Sequence, residues 1–345
     1  GRLSLNGNVD STSTGTFQIG AGSTLSFGHN GFSAGLATLS NVTFGGTGTL
    51  LIDASNVGGS DVRTVGTLSH AGTLAIANGT LQNDGSFTVA AYNQSGGQLA
   101  GSGTLTVTGL ATLTGGDQTG TGTSQFNGNV AISGNGTRSL SGGRTMNTAA
   151  TTTWGGNTSV NGNSFAINGN ATLNNAGTWN DTNGFDTSLG NGVGGTKVFN
   201  NTGTYNKSGN ATTTIFTAFN NTGLLDVQAG HMVLPAVSGL QGNGTLRIGA
   251  AGTVTASAGN NTVGIVDHRG AAATSFDIGT RTVTVSVDYN NANFGVGNAF
   301  NRRANIVISG TGNRLIAAGD ANQGISGAGV TNGSTTTPTL VISNV

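Results

Sequence analysis

The sequence predicts an all-β chain: a right-handed parallel β-solenoid over residues 1–280, followed by a short, separate β-rich segment over 281–345. Three observations lead there. The first is composition. Of 345 residues, 63 are Gly, 2 are Pro and only 7% are charged, against about 25% charged in an average protein. Every acidic residue is Asp, and Lys197 and Lys207 are the only lysines. The good helix formers Glu and Lys are thus almost absent, while the poor ones Gly, Asn, Asp and Thr abound. The second is a recurring phrase of Gly, then Thr or Ser, then apolar–any–apolar. It occurs at Gly15-Thr16-Phe17-Gln18-Ile19, Gly48-Thr49-Leu50-Leu51-Ile52, Gly72-Thr73-Leu74-Ala75-Ile76, Gly85-Ser86-Phe87-Thr88-Val89, Gly103-Thr104-Leu105-Thr106-Val107 and Gly244-Thr245-Leu246-Arg247-Ile248. The third is a stricter phrase carrying an Asn pair: Asn174-Asn175-Ala176-Gly177-Thr178, Asn200-Asn201-Thr202-Gly203-Thr204 and Asn220-Asn221-Thr222-Gly223-Leu224.

Low charge with much Gly also describes disordered linkers, but those have few β-branched and aromatic residues. Here 34% of the residues are hydrophobic and 14 are Phe, spread in short alternating clusters that suit a thin repetitive core. Apolar–any–apolar alternation puts both apolar side chains on one strand face. The glycine ahead of it is expected to supply positive φ at a tight corner, which makes Gly177, Gly203, Gly223 and Gly244 the corner glycines. Their spacing of 26, 20 and 21 residues falls in the solenoid range. Stacked coils then align like with like. Asn174, Asn175, Asn200, Asn201, Asn220 and Asn221 are expected to form a ladder of amides bonded along the stack at ~4.8 Å per coil. Residues 1–280 make about 12 such coils. A single coil cannot bury its own apolar face, so stability comes from neighbours, and open strand edges favour end-to-end self-association into fibres.

Two stretches depart from this pattern. Residues 117–153 read as a loop or an irregular coil. From about Arg281 the phrase fades: Thr282-Val283-Thr284-Val285-Ser286-Val287 alternates cleanly and gives way to a more basic segment with Arg302, Arg303 and Arg314.

Chemistry is sparsely provided. No Cys excludes disulfides and thiolate metal sites. Zero net charge gives no basis for nucleic-acid binding, and no apolar run is long enough for a membrane-spanning helix. No cofactor and no metal site are expected. The best acidic–basic cluster is Asp267-His268-Arg269, but neighbours on a strand point to opposite faces, so a polar turn is the favoured reading. Asp181 and Asp186, around Gly184, read as an Asx turn in preference to a cation site. His29, His70, His231 and His268 lack ligand spacing. Gly194-Gly195-Thr196-Lys197 reverses the order of a phosphate loop, and Gly115-Gly116-Asp117 does not repeat as a calcium motif does. Trp154, Trp179 and Tyr205 could stack sugars, yet their place in the repeat favours packing. Thr104–Thr106–Thr108 and Thr112–Thr114 resemble a water-ordering array but are not expected to recur at coil spacing. No catalytic residue emerges.

The Asn-Asn-x-Gly-Thr and Gly-Thr-Leu-x-Val phrases resemble the repeats of large bacterial exoproteins: autotransporter passengers, two-partner secreted filamentous haemagglutinin-like adhesins and β-strand repeat surface proteins. The segment Val287–Val345, with Phe300-Asn301-Arg302-Arg303-Ala304 and Gly327-Ala328-Gly329-Val330-Thr331-Asn332-Gly333, is similar to the opening of choice-of-anchor, Ig-like modules. With neither an initiator Met nor a signal peptide, the chain reads as part of a longer polypeptide. The resemblance implies a secreted, extracellular element on the bacterial outer surface, a rigid stalk or matrix-fibre block rather than an enzyme. Its implied partners are host or neighbouring-cell surfaces or polysaccharide. The alternative is a β-helix polysaccharide lyase or hydrolase, for which Asp267 is the residue to test.

Overall fold

The computed structural model describes residues 1–5, 9–11, 15–28, 37–40, 42–54, 62–136, 138–235, 238–256 and 260–268. It also describes the strands Phe276–Asp277, Thr282–Asn291, Ile306–Ser309, Arg314–Ala317 and Leu340–Ser343. Among the described residues the chain is all β, without a helix, and forms a parallel β-solenoid of about 11 turns. A typical coil holds three short strands. Thr104–Val107, Ala111–Leu113 and Gly116–Gln118 are followed by Thr123–Phe126, Val130–Ile132 and Arg138–Leu140, each pairing in parallel with its counterpart one coil on. Three parallel sheets result. Strands of three or four residues suffice because two alternate residues per strand face the interior, as the pattern of Thr104–Val107 shows: Leu105 and Val107 buried, Thr104 and Thr106 half-exposed.

The chain divides into two compact units. Unit 1 comprises 1–158, 162–174 and 192–197; unit 2 comprises 159–161, 175–191 and 198–345. In unit 1 Thr67 stands opposite Ser86, Ser86 opposite Thr104, Thr104 opposite Thr123 and Thr123 opposite Thr145, coil steps of 19, 18, 19 and 22 residues. In unit 2 Thr178, Thr204, Leu224 and Thr245 face one another in turn, giving the 26, 20 and 21 residues of the glycine spacing.

Residues 117–153, expected to be irregular, instead form ordered coils with strands at Thr123–Phe126, Val130–Ile132, Arg138–Leu140, Thr145–Thr148 and Thr151–Trp154. The Gly-Thr phrase is diluted there because polar residues such as Gln118, Ser124 and Arg138 hold inward positions, which hides the alternation. The longer excursions fall later, between Trp154 and Phe165 and between Leu189 and Val198. Beyond residue 280, Thr282–Asn291 pairs in parallel with Asn260–His268, and Ile306–Ser309 pairs with both Thr282–Asn291 and Leu340–Ser343. The phrases at 300–304 and 327–333 lie outside the described residues.

The cores stack in columns. In unit 1 Phe17 and Phe44, paired in register, have ring centroids 5.8 Å apart, while Phe44 faces His70 on the next coil at 5.9 Å. In unit 2 Phe199 lies on Phe219 at 4.9 Å and 6°, and Trp179 on Tyr205 at 6.4 Å and 8°. The 4.9 Å separation matches the spacing of paired strands, so in-register pairing itself brings like rings together, each pair adding about 0.5–1.5 kcal/mol beyond area burial.

Candidate functional site

The most organised set of polar side chains follows from strand alternation at the Asn pairs. In Thr172–Asn175, Val198–Asn201 and Ala218–Asn221 the first Asn of each pair is half-buried and the second is buried. The buried ones form a continuous ladder in unit 2. Asn175 Nδ2 donates to Asn201 Oδ1 at 2.7 Å, and Asn201 Nδ2 donates to Asn221 Oδ1 at 2.7 Å. Each amide nitrogen also donates to a main-chain carbonyl one coil on: Thr204 O at 3.0 Å, Leu224 O at 3.0 Å and Thr245 O at 3.1 Å. A buried amide without partners costs several kcal/mol, so a ladder that satisfies every rung holds the coils in one register. The half-buried residues make ladders of their own. Asn220 donates to Asn200 at 2.8 Å in unit 2. In unit 1 Asn174 donates to Asn147 at 2.8 Å, and Asn147 to Gln125 at 2.9 Å. Asn147 and Gln125 carry no Asn-Asn phrase; only their place two residues after Thr145 and Thr123 signals them.

The expected role of the corner glycines needs correction. Gly203, Gly223 and Gly244 have no positive φ. A Cβ on Gly203 would lie 2.1 Å from Gly177 O, one on Gly223 2.0 Å from Gly203 O, and one on Gly244 2.4 Å from Gly223 O. Gly203, Gly223 and Gly244 are required by the close approach of one coil's backbone to the next, with Gly177 O the first carbonyl so approached. Gly103 repeats the case in unit 1, where a Cβ would lie 2.0 Å from Gly85 O. Positive φ occurs elsewhere, as at Gly22 and Gly142.

The residues weighed for chemistry are held by structural contacts. Asp267 is buried and accepts Arg247 Nε at 3.0 Å, while Arg247 Nη1 lies 3.6 Å from Asp226 one coil back. Arg247 is the middle rung of an Asp–Arg–Asp column, as its register opposite both acids requires. The side chains of His268 and Arg269 lie outside the described residues, so the trio Asp267-His268-Arg269 does not come together among them. Asp181 receives Asn183 N at 3.2 Å and Nδ2 at 3.0 Å, an Asx turn, while Asp186 accepts Thr212 N at 2.7 Å. His70 is buried with Nε2 2.9 Å from Gly48 O, and His231 Nε2 lies 2.9 Å from Thr255 Oγ1; His29 lies outside the described residues. No group of three potential metal ligands occurs among the described residues. Asp117 accepts Ser139 Oγ at 2.5 Å. In the Gly-rich loop, Val193 N and Thr196 N donate to the Asn168 and Asn170 side chains at 2.8 and 2.9 Å. Trp154, Trp179 and Tyr205 are fully buried. Thr104 and Thr106 stand in register with Ser86 and Thr88 on one side and with Thr123 and Gln125 on the other, so the Thr-x-Thr pair itself does not recur on the neighbouring coils.

Sequence reasoning missed the buried cations. Arg138 donates to Leu113 O at 3.1 Å, Ser133 O at 2.7 Å and Gly134 O at 2.9 Å. Arg144, fully buried, donates to Thr119 O at 2.6 Å, Ser124 Oγ at 3.2 Å and Gly101 O at 3.3 Å. Burial pulls both guanidinium groups down to about 10, with the neighbouring Tyr92 acting in the opposite direction on Arg144. Both cap carbonyls at corners, reaching across coils. The alternation of Arg138-Ser139-Leu140 was the available signal, since it puts Arg138 on the same face as buried Leu140. Lys207, also fully buried, donates to Gly209 O, and burial lowers its ammonium value against the pull of Asp181 and Asp186.

Taken together, the ladder, the Asp–Arg–Asp column and the arginine clamps bind buried polar groups of one coil to the next and fix register along the stack. Among the described residues no helix is long and apolar enough to cross a membrane. No protein-family model, no curated protein and no solved structure matched this chain.

Proposed function

We propose that this chain is a structural and adhesive segment of a secreted bacterial surface protein, a rigid stalk or extracellular fibre block displayed on the outer surface. The observation that carries this reading is where the polar side chains are used. The Asn175–Asn201–Asn221 ladder, the Asp226–Arg247–Asp267 column and the Arg138 and Arg144 clamps all bind one coil to the next. Such bonds resist shear between coils, which suits a load-bearing element. The partners that fit this role are other copies meeting end to end, host or neighbouring-cell surfaces, or polysaccharide. The enzymatic alternative rests on Asp267, and its carboxylate is occupied by Arg247.

One experiment separates the two readings. Beads coated with the purified chain should adhere under flow to cells or to polysaccharide-coated glass, and should lose adhesion after the chain is unfolded on the bead. The same preparation should leave pectin-, alginate- and peptidoglycan-like polymers intact. Polymer cleavage that disappears in Asp267→Asn, without bead adhesion, would overturn the proposal.

A further inference from the structure

Asparagine followed by glycine is a reactive pair. The glycine carries no side chain to shield its nitrogen, and attack of that nitrogen on the preceding carboxamide closes a five-membered ring within one chain. Ring closure asks two things: the carboxamide must swing over the next peptide nitrogen, and that nitrogen must shed its proton. A hydrogen bond on either group opposes the step.

Eight such pairs lie among the described residues, and the fold holds seven of them. Asn135 is bound at both ends of its amide, donating to Thr158 Oγ1 at 2.6 Å and accepting Thr158 N at 3.0 Å. Asn78 donates to Asp53 Oδ1 at 2.8 Å, Asn183 donates to Asp181 Oδ1 at 3.0 Å, and Asn127 accepts Gln125 Nε2 at 2.8 Å. Asn168 accepts Val193 N at 2.8 Å, and the nitrogen after it, Gly169 N, donates to Val193 O at 3.2 Å. At Asn243 the restraint falls on the nucleophile, since Gly244 N donates to Asn221 O at 2.9 Å. Asn161 sits at φ 58° with its own N–H tied to Asp186 O at 2.7 Å.

Asn191-Gly192 is different. It follows the strand Thr187–Leu189 and opens a glycine-rich turn in which Gly194 and Gly195 take φ 72° and 60°. Asn191 is exposed; neither its carboxamide nor Gly192 N has a hydrogen-bond partner among the described residues. Glycine is nonetheless required at 192, because a Cβ there would lie 2.3 Å from both Asn168 Oδ1 and Ile167 O. Close packing thus places the least shielded of nitrogens directly after an unrestrained asparagine.

We infer that Asn191 is a site of spontaneous deamidation. Gly192 N gives its proton to a hydroxide ion and attacks Cγ of Asn191, forming the N–Cγ bond. The Cγ–Nδ2 bond breaks, and the departing nitrogen takes a proton from water to leave as ammonia, which regenerates the hydroxide. A water molecule then opens the succinimide. Opening at Cγ gives aspartate; opening at the main-chain carbonyl gives isoaspartate, with the chain running through the former side chain. No electrons change hands. Either product adds a carboxylate to a turn whose one charged residue is Lys197. Isoaspartate also inserts a methylene into the main chain just ahead of Val193 and Thr196, whose N–H groups anchor the turn to Asn168 and Asn170.

The test is a time course on the purified full chain in mildly alkaline buffer, folded and in urea, followed by mass spectrometry of chymotryptic peptides. In the folded chain the peptide containing Asn191 should gain the mass of water less that of ammonia and resolve into an aspartate and an isoaspartate form. It should convert roughly tenfold faster than the peptide containing Asn135, whose two bonds must open first. In urea the two rates should converge. Asn191→Ser should remove the early mass gain from the intact chain while the circular dichroism stays β-rich. Conversion at Asn191 no faster than at Asn135 in the folded chain overturns the inference, as does an early mass gain that persists in Asn191→Ser. An advantage that survives unchanged in urea overturns it too, because local sequence and not the fold would then set the rate.

Discussion

In unit 2 successive coils put the same amide in the same place, and Asn175, Asn201 and Asn221 each bond the next. In unit 1 the coils between Gly101 and Arg144 carry no such repeat; there two arginines reach across coils to carbonyls at the corners. Both devices answer one requirement, that polar backbone and side-chain groups inside a thin solenoid find partners. They differ in what they ask of the sequence. A ladder needs a carboxamide at every rung, since each amide is donor to one neighbour and acceptor from the other. It also needs a terminus, supplied where Asn221 donates to Gly223 O and Thr245 O at 3.3 and 3.1 Å. An arginine clamp places several donors on one long side chain and tolerates coils of unequal sequence. Its cost is a buried charge, and no carboxylate among the described residues pairs with Arg138 or Arg144.

Four substitutions sharpen this contrast. The largest effect is expected from Arg144→Ala, which empties a fully buried site and strands the Thr119 and Gly101 carbonyls. Its cost is about 3–5 kcal/mol, read as a fall in the urea midpoint. Arg144→Met should recover part of that through packing alone, and equal midpoints for the two variants would assign the whole effect to the lost bonds. Next is Asn201→Asp. The rung still accepts from Asn175 but now presents a carboxylate oxygen to Asn221 Oδ1 and Leu224 O, for about 2–4 kcal/mol. The half-buried Asn200→Ala should cost under about 1 kcal/mol, so comparable losses for the two would remove the distinction between inner and outer ladders.

Gly223→Ala tests close approach against backbone conformation. Its Cβ would meet Gly203 O at 2.0 Å, so the stacked backbones must separate, at about 1–3 kcal/mol. Gly22→Ala, at φ 70° with nothing within 4 Å, should lose only about 1 kcal/mol through backbone strain. A larger loss at Gly22 than at Gly223 would reverse the assignment.

The smallest effect is a pH dependence at Asp84 in unit 1. Burial raises its carboxyl, but bonds from Gln82, Ser102 and Arg63 outweigh this and hold it below the ordinary value. A lowered folded value contributes stability above the unfolded-state value of about 4 and loses it as the pH falls through the folded one. Thermal melting below about pH 4 should therefore fall less steeply in Asp84→Asn than in the wild type. Parallel slopes for the two proteins would remove Asp84 from the acid response.

Much of the architecture was legible because solenoid periodicity is written locally. Apolar alternation locates the strands, and the distances between Gly177, Gly203, Gly223 and Gly244 are those of the coils they stack in. The Asn pairs likewise announce themselves by repetition. Residues used once, such as Arg144 reaching Gly101 or Lys207 beside the Asp181–Asn183 turn, leave no periodic trace. Their partners lie one or two coils away, at separations set by variable corners. By itself, then, the sequence determined the class of structure, the coil length and the faces of the strands, because these depend on spacing along the chain. Only the tertiary structure decided why the glycines are required, where each carboxylate is bound and which buried groups meet. Those depend on the height of one coil above another, a distance that pairing between coils creates.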